Sequence, residues 1–375
     1  MIFLGAGASA CFGIPTTPDL TKEISKKLEK TNLALLKDIT VFLEDSHRDY
    51  DFENLLTILT ALNNQNDVDR NHFSHNFVSI YTKHQKDYTS IIDEIYAIIC
   101  DHCTAPFNSL NDKYLKPEDL ESIFQITYDS LIGCHQIYDK NDLIFTTNYD
   151  PSIEIWCQKR FLKCVDGTKD TNNPEIKQSI DNKDFLQSIK PQTNVVNLIR
   201  LHGSVWTYEA TSDKIIKFTK ARDHLQFVDI YENTLKKNPI LIFPGQESRL
   251  RRDEWDQLYQ YFKTQLQGNC LFIGYSFRHD VINEPIEDNL KSGLITRLGI
   301  LAPNPEENIE NLFQGKPVPE NKIVKMTAKF GGINALKELN EKWYPITVNR
   351  KTSSGQTVKH QASVWKNKIE SQYIK

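Results

Sequence analysis

The sequence lacks any apolar run that approaches the roughly 18 to 20 residues needed to span a bilayer, which excludes a transmembrane helix. The first residues, Met1-Ile2-Phe3-Leu4, pass straight into glycines without a basic segment before them, so we expect no signal peptide. Cysteine is also scarce, since 7 scattered residues in 375 fit a reducing compartment better than a disulfide framework. We therefore expect a cytoplasmic protein that does not contact membranes.

A strong net charge is absent as well. The formal net charge is −4 at pH 7, so the electrostatics of the whole chain requires neither a nucleic acid nor a membrane as partner. The charge is uneven, however, because residues 316–375 contain 12 Lys+Arg and 4 Asp+Glu, which leaves a net of −12 for the preceding residues. This basic segment is either a solvated surface or a tail that docks on an acidic partner subunit or on DNA phosphates.

Short, almost entirely apolar runs recur along the chain and indicate buried strands of a parallel sheet. They lie at residues 2–4, 143–145, 195–201, 240–243, 270–273 and 298–301. Helical stretches separate several of them, so the sequence predicts an α/β fold, a Rossmann-like doubly wound parallel sheet. Between residues 20 and 135 apolar residues recur at spacings of three and four instead, which predicts a large helical insertion.

The length allows two or three domains. We divide the chain into a Rossmann-like domain, a helical insertion and a basic C-terminal extension for assembly or partner contact. The Rossmann-like domain comprises residues 1–30 and 139–310, the insertion residues 31–138 and the extension residues 311–375.

The first candidate site follows the first strand, as Gly5-Ala6-Gly7-Ala8-Ser9. Glycines there allow backbone N–H groups to approach a diphosphate closely, and a helix that starts at the turn favours its negative charge. A tight strand-to-helix turn also requires glycine, so both interpretations stay open. Ala10 replaces the third glycine of a dehydrogenase fingerprint, and Pro15 and Pro18 interrupt the following helix. A hydride-transferring dehydrogenase is therefore disfavoured, and the proline-containing loop could close over a bound dinucleotide.

Polar side chains follow three further strands. In open α/β sheets ligands bind beyond the carboxyl ends of the strands, and these positions hold Thr147, Asn148, Asp150, His202, Gly274, Tyr275 and Ser276. An imidazole titrates near pH 6.5 and can accept a proton from water or a hydroxyl group. The alternatives are structural: Asn148 or Asp150 caps the helix that begins near Pro151, and His202 is an ordinary hydrogen-bonding residue.

Taken together and in this order, these motifs resemble the sirtuin superfamily. Gly5-Ala6-Gly7-Ala8-Ser9 with Gly13-Ile14-Pro15 is similar to its N-terminal cofactor signature. Thr147-Asn148-Tyr149-Asp150 is similar to its Thr-Gln-Asn-x-Asp motif. Leu201-His202-Gly203-Ser204 is similar to its catalytic histidine segment, and Gly274-Tyr275-Ser276 is similar to its Gly-Thr-Ser turn. The resemblance implies that Asn148 and His202 are catalytic. It implies that NAD binds at Gly5, Ala6, Gly7, Ala8, Ser9, Pro15, Thr147, Asp150, Gly274, Tyr275 and Ser276.

The chain departs from the protein deacylases of that superfamily. No cysteine lies between Cys164 and Cys270, where their zinc ribbon carries two C-x-x-C pairs. The one C-x-x-C here, Cys100-Asp101-His102-Cys103, could be completed only by Cys134-His135, and zinc sites usually show two clear ligand pairs. We therefore expect no metal and treat NAD as a substrate.

Sirtuin-like proteins with a helical insertion and no zinc ribbon are similar to the bacterial NAD hydrolases of anti-phage defence. The resemblance implies that the chain depletes NAD when infection is sensed. It implies activation by assembly into a homo-oligomer or by a separate partner, such as a hexameric DNA-translocase ATPase or a short Argonaute.

The residues suit such a reaction. Asn148 is expected to orient the ribose and the incoming water, His202 to accept a proton, and the glycine turn to hold the diphosphate. A module that senses NAD or ADP-ribose without cleaving it is the alternative, and a protein deacylase is a further one that the missing zinc ribbon disfavours.

Overall fold

A computed structural model describes residues 1–46, 48–63, 75–84, 88–108, 116–131, 143–189, 194–210, 214–219, 235–243 and 253–343. Its strands, in chain order, are β1 (Ile2–Leu4), β2 (Leu143–Thr146), β3 (Lys163–Val165), β4 (Thr168–Asp170), β5 (Ile176–Ser179), β6 (Val195–Arg200), β7 (Thr207–Glu209), β8 (Ile215–Phe218), β9 (Gly268–Ile273), β10 (Ile295–Ala302) and β11 (Ile323–Thr327).

The helices are α1 (Ala6–Ser9), α2 (Thr17–Asp45), α3 (Phe52–Asn63), α4 (His75–His84), α5 (Tyr88–Thr104), α6 (Pro117–Phe124), α7 (Ser152–Lys159), α8 (Asn182–Ser188), α9 (Asp253–Gln265), α10 (Asp280–Lys291), α11 (Pro305–Phe313) and α12 (Ile333–Glu338). Short 3-10 turns follow α1, α5 and α11 at Ala10–Phe12, Ala105–Phe107 and Glu320–Lys322, and single π-helical turns follow α6 and α12 at Gln125–Asp129 and Leu339–Trp343.

The larger sheet has seven strands in the order β11-β10-β9-β1-β2-β6-β3, and every pairing in it is parallel. From β1 the sheet extends through β2, β6 and β3 on one side and through β9, β10 and β11 on the other, so the direction of winding reverses between β1 and β9. Such a reversal marks the point where ligands bind in doubly wound sheets. The predicted α/β fold class is therefore confirmed.

Alternate residues of β1 enter two different cores, as expected for a strand covered on both faces. Ile2 and Leu4 pack with the helices between β1 and β2. Phe3 packs on the opposite face, with residues of α9, α10 and α11. The helices α2 to α6 thus pack on the same face of the sheet as Ile2 and Leu4. No described helix is both long enough and apolar enough to cross a membrane.

The remaining strands form a smaller antiparallel sheet in the order β4-β5-β8-β7. None of its four strands was predicted from the sequence, because they are short and half-polar. The prediction of a strand at residues 240–243 is wrong. Leu241 makes only an isolated antiparallel bridge with Gly203, and the run is buried against the helical region, where the ring of Phe243 meets those of Phe52 and Tyr96. Beyond residue 310 the main sheet continues through β11.

Candidate functional site

A cleft of about 890 Å³ opens where the loops after β1, β2, β6 and β9 meet the start of α3. It lies at the point where the strand order reverses. The expected site residues that line it are Ala6, Gly7, Ser9, Pro15, Thr147, Asn148, Asp150, His202, Gly274, Tyr275 and Ser276. Gly5 and Ala8 are buried behind this surface. The structure thus brings the four motifs together around one cavity.

The glycines of the first turn allow two loops to touch. Gly5 N donates to Ile273 O at 2.9 Å, and Gly7 N donates to Gly274 O at 2.9 Å. Gly274 has φ +62°, and a Cβ there would lie 2.3 Å from Ala8 N. Any side chain at this position would therefore push the turn after β1 away from the turn after β9.

The expected use of the backbone amides needs a correction. Gly5 N is engaged by Ile273 O of β9, Gly7 N by Gly274 O just after that strand, and Ala8 N donates to Gly5 O at 2.8 Å. Because a donated hydrogen is no longer free, these three amides do not serve a diphosphate, and the glycines act by shaping the turn. Ala6 is exposed and lines the cleft.

Asn148 is fixed by a chain of hydrogen bonds that starts at β1. Thr146 Oγ1 donates to Leu4 O at 2.9 Å and accepts from Asn148 N at 2.9 Å. The Asn148 amide Nδ2 donates to Gly5 O at 2.9 Å and to Ser9 Oγ at 2.8 Å. Its Oδ1 is buried and has no hydrogen-bond partner among the described residues. Because an unpaired buried acceptor is costly, this oxygen fits a donor from a ligand or an ordered water.

Asp150 supports this arrangement from below. Its Oδ2 accepts from Ser9 Oγ at 2.6 Å, and its Oδ1 accepts from Ser152 N at 3.0 Å, at the start of α7. The second contact ties Asp150 to the first residue of α7, but the N-cap residue of that helix is Pro151, so Asp150 does not cap it. The contacts of Asp150 and Ser9 are thus with the protein itself.

Arg200 is a residue that the sequence analysis missed. At the end of β6 it is buried, and its guanidinium donates to Asn148 O and Asp150 O, each at 2.7 Å. It also pairs with Glu154 of α7. Since one rigid fork holds both carbonyls, Arg200 fixes the backbone that presents Asn148. Its position inside an apolar run was the available signal, because a cation on a buried strand needs partners.

His202 lies at the floor of the cleft and is 1% exposed. Its backbone is held because Ile242 N donates to His202 O at 2.9 Å. Burial, and then the neighbouring His279, lower its pKa well below the usual value, so its imidazole is neutral at pH 7. Nε2 is buried and has no partner among the described residues. A neutral imidazole with one unsatisfied nitrogen can accept or donate a hydrogen bond to a ligand.

His279, Glu53 and Tyr149 complete the floor, and none of them was predicted. The His279 ring stacks on His202 at 5.3 Å between centroids and 18° between planes. His279 Nε2 lies 3.9 Å from Glu53 Oε2, and Tyr149 Oη donates to Glu53 Oε1 at 2.9 Å. Glu53 comes from the helical insertion, where nothing in the local sequence marks it. His279 had a weak signal, because it closely follows the Gly274-Tyr275-Ser276 motif.

The remaining expected residues lie at the rim. Pro15 belongs to the loop between Gly13, which has φ +81°, and α2, in which Pro18 is the second residue. The loop after β9 is tied to α11, because Asn308 Nδ2 donates to Tyr275 O and Asn311 Nδ2 donates to Ser276 O, both at 2.9 Å.

Metal ligands are not grouped in the part of the chain that the structure describes, where no set of three or more His, Cys, Asp or Glu side chains could hold an ion. Cys100 and Cys103 are buried thiols whose pKa values burial raises well above the usual value. Cys134 and His135 lie outside the described residues.

Part of the chain that forms this site is similar to a known protein family. Residues 142–318, just under half of the chain, match the family model of the SIR2-like domain. The expected resemblance to the sirtuins is thereby supported for this region, which is similar to the SIR2-like domain.

Two of the solved structures similar to the chain are described as a crystal structure of a Sir2 homologue–NAD complex and as a complex of a mutant Sir2 homologue with ADP-ribose. The first has a TM-score of 0.40 and 14% identity over 91% of this chain and 89% of that one. The second has a TM-score of 0.39 and 13% identity over 91% of each chain. The comparison with curated proteins gave no match.

Proposed function

We propose that the chain is an NAD glycohydrolase, which cleaves NAD to nicotinamide and ADP-ribose with Asn148 and His202 as its catalytic residues. One observation carries the proposal. These two side chains come from different strand ends, yet each presents a buried polar atom, Oδ1 and Nε2, to the same cleft, and neither atom has a partner among the described residues. The sirtuin-like character of residues 142–318 supports NAD as the ligand.

The reaction makes modest demands on the protein. The bond between C1 of the ribose and the pyridinium nitrogen breaks, and its electron pair stays with nicotinamide, which leaves as a neutral molecule. The oxygen of a water forms the new bond to C1, and one proton of that water is lost. No general acid is needed at the leaving group, so the protein has to orient the ribose and water and to accept one proton.

The geometry supports a division of these tasks. Asn148 is oriented so that Nδ2 is occupied by Gly5 O and Ser9 Oγ, which leaves Oδ1 to accept from a ribose hydroxyl or the water. His202 is neutral at pH 7 because burial lowers its pKa, so Nε2 can take the proton. Since three amides of the glycine turn are engaged, exposed cationic side chains at the rim, such as Arg48 and Arg278, are the available groups for the diphosphate.

The direct test incubates the purified chain with NAD and quantifies nicotinamide and ADP-ribose, with and without a partner encoded beside it. Equimolar appearance of the two products is the expected result. Asn148→Ala and His202→Ala should each lower turnover by roughly 10²-fold or more while the far-ultraviolet circular dichroism stays unchanged. Turnover at the wild-type rate in either folded variant would overturn its catalytic role.

A sensor that binds NAD or ADP-ribose without cleaving it is the second candidate. The observation that favours it is the strongly lowered pKa of His202, because a weakly basic imidazole is a poor proton acceptor. Calorimetric binding of NAD without any release of nicotinamide, alone and in the assembled state, would establish this candidate in place of the first.

The wider role is proposed on the resemblance to anti-phage NAD hydrolases. The chain would act in the cytoplasm as a homo-oligomer or with an ATPase or Argonaute partner, and direct contact with nucleic acid stays open. The division into residues 1–30 plus 139–310, 31–138 and 311–375 is retained as a proposal, and most of the basic segment lies outside the described residues. Phage challenge of cells with and without the gene, with NAD measured during infection, tests this role.

A further inference from the structure

We propose that His279 is a second catalytic histidine of this site, which contacts the substrate beside His202 and shares with it a single proton, while Glu53 supplies the balancing negative charge. The inference rests on the proposed function and extends it, because it assigns roles to residues outside the motifs on which that proposal stands. It starts from the contact of two imidazole rings at the floor of the cleft.

The two rings face each other at 5.3 Å between centroids and 18° between their planes. His202 Nε2 and His279 Nδ1 are both buried and have no hydrogen-bond partner among the described residues. Both residues line the same cleft. Two unsatisfied imidazole nitrogens on stacked rings offer two sites for a proton or for hydroxyl groups, and burial without partners is unfavourable unless a ligand or water uses them.

The backbone before His279 is built to place it there. Phe277 has φ +55°, a conformation that bulky residues rarely adopt and that occurs where a structure requires it. It is held because the Phe277 ring is fully buried and Asn283 Nδ2 donates to Phe277 O at 2.7 Å. This turn carries the chain from β9 to α10, and His279 occupies the residue just before that helix. Strain next to the cleft supports a functional role for the residue that it orients.

The pKa values of the two histidines indicate that the pair binds only one proton at a time. Burial lowers the pKa of His202 well below the usual value, and proximity to His279 lowers it further. Burial also lowers the pKa of His279 to about 4. Protonating one ring therefore disfavours protonation of the other. The charged or titratable groups that surround the pair are Glu53, Tyr149, Tyr275, Arg278 and Asp280.

Two of these groups can stabilise positive charge on the pair, since Asp280 raises the pKa of His279 and Glu53 lies within ion-pair distance of its ring. Glu53 Oε2 lies 3.9 Å from His279 Nε2, and Glu53 Oε1 accepts from Tyr149 Oη at 2.9 Å. Tyr149 also donates to Ile242 O at 3.1 Å, so the carboxylate is held in place by the floor of the cleft. An imidazolium on His279 would then be stabilised by a fixed anion.

In the resulting step, the water oxygen bonds to C1 while nicotinamide leaves with the electron pair of the broken bond. The released proton goes to His202 Nε2 or His279 Nδ1. Glu53 balances the charge until the proton passes to solvent. No other reactant is required.

The test compares His279→Asn, Glu53→Gln and their double variant with the wild type, by steady-state kinetics with NAD from pH 5 to 9. His279→Asn keeps a polar atom near the position of Nδ1, so we expect KM to change little and kcat to fall by roughly 10²-fold. Glu53→Gln should lower kcat by roughly tenfold, and the double variant should be no worse than His279→Asn because the two act together. His84→Gln is the matched control, since His84 is a buried histidine paired with Asp38 in the helical region and should leave kcat unchanged.

A second readout keeps this inference separate from the proposed function. Imidazole nitrogen NMR of histidine-labelled protein follows His202 and His279 on addition of ADP-ribose plus nicotinamide, which requires no turnover. Movement of both imidazole signals, together with a higher pKa for His202 in His279→Asn, supports a shared proton even if NAD is never cleaved. An unchanged kcat in folded His279→Asn, or an unmoved His279 signal with the ligands bound, overturns the role of His279.

Discussion

At the scale of single residues, the orientation of the Asn148 amide can be tested by substitution. Nδ2 faces Gly5 O and Ser9 Oγ. Asn148→Ala should cost about 1 kcal/mol or less of unfolding free energy, because Gly5 O keeps Ala8 N and Ser9 Oγ keeps Asp150. Asn148→Asp should cost about 1 to 3 kcal/mol, because a carboxylate oxygen then faces a carbonyl oxygen. Urea unfolding of both variants measures the difference, and an Asn148→Asp variant as stable as Asn148→Ala would show the amide to be reversed.

His279 gives the stability of the protein a defined pH dependence. Burial lowers its pKa from 6.5 to about 4, so between these values the unfolded chain binds a proton that the folded chain does not. Stability should therefore fall as the pH drops from 6.5 to 4, by up to about 3 kcal/mol from this residue. Urea unfolding at pH 7.5, 5.5 and 4.5 measures it. His279→Asn should lose part of this dependence, and an identical dependence in that variant would contradict the buried neutral state.

One of the missed residues, Glu53, differs in its position from the residues that the sequence identified. Asn148 and His202 sit directly after apolar strands, where the fold class alone places them at a ligand site. Glu53 lies in α3, about a hundred residues from Tyr149 along the chain, and only the packing of the helical insertion against the sheet brings the two together. A single sequence contains no local pattern for such a contact.

At the scale of elements, the contact between the turns after β1 and β9 decides the shape of the cleft. Gly274→Ala would place a Cβ 2.3 Å from Ala8 N and 2.4 Å from Gly7 C, so the backbone must move. We expect an unfolding cost above about 3 kcal/mol and loss of NAD cleavage, since steric strain adds to that of a left-handed residue.

Gly268→Ala is the matched control for this change. Gly268 also has positive φ, at +64°, and starts β9, but a Cβ there meets nothing within 4 Å. It should cost only about 1 to 2 kcal/mol and keep activity. Melting temperatures of the two variants measure the contrast, and equal losses would show that the approach of the two turns is unimportant.

Strands that are buried on both faces could be predicted from the sequence, whereas half-exposed strands could not. β1, β2, β6, β9 and β10 are apolar runs covered on both faces, and the sequence analysis located each of them. The antiparallel sheet escaped detection because its strands are short and half-exposed. The apolar run at residues 240–243 gave a wrong strand prediction. It is buried against α3 and α5, and such burial requires the same apolar residues as burial in a sheet.

At the scale of the whole molecule, a buried network of charges joins the two sheets. Glu154 of α7 pairs with Arg200 of β6 and with Lys217 of β8, and Lys217 also pairs with Asp166. All four side chains are less than 9% exposed. Because Arg200 also holds the carbonyls of Asn148 and Asp150, this network connects the stability of the antiparallel sheet to the geometry of the site.

The pKa of Glu154 reports the balance in this network. Burial alone would raise the pKa of the carboxyl, but Arg200 and Lys217 outweigh burial and lower it from 4.5 to about 2. A carboxylate with a lowered pKa in the folded state contributes stability above pH 4.5, and this contribution is lost as the pH falls toward 2. The network and His279 therefore both weaken the fold in acid.

Glu154→Gln tests whether the network holds the molecule together as one unit. It leaves two buried cations with a single carboxylate, and breaking a buried pair costs about 3 to 5 kcal/mol.

The control is Glu121→Gln, which removes a carboxylate from the partly exposed Arg160. Arg160 keeps Asp129 as its partner at 2.7 Å, so a loss of at most about 1 kcal/mol is expected. Guanidinium unfolding and NAD turnover are measured for both. Since Arg200 loses its anchor only in Glu154→Gln, only that variant should also lower kcat, and a stable, fully active Glu154→Gln protein would show that the network does not position the site.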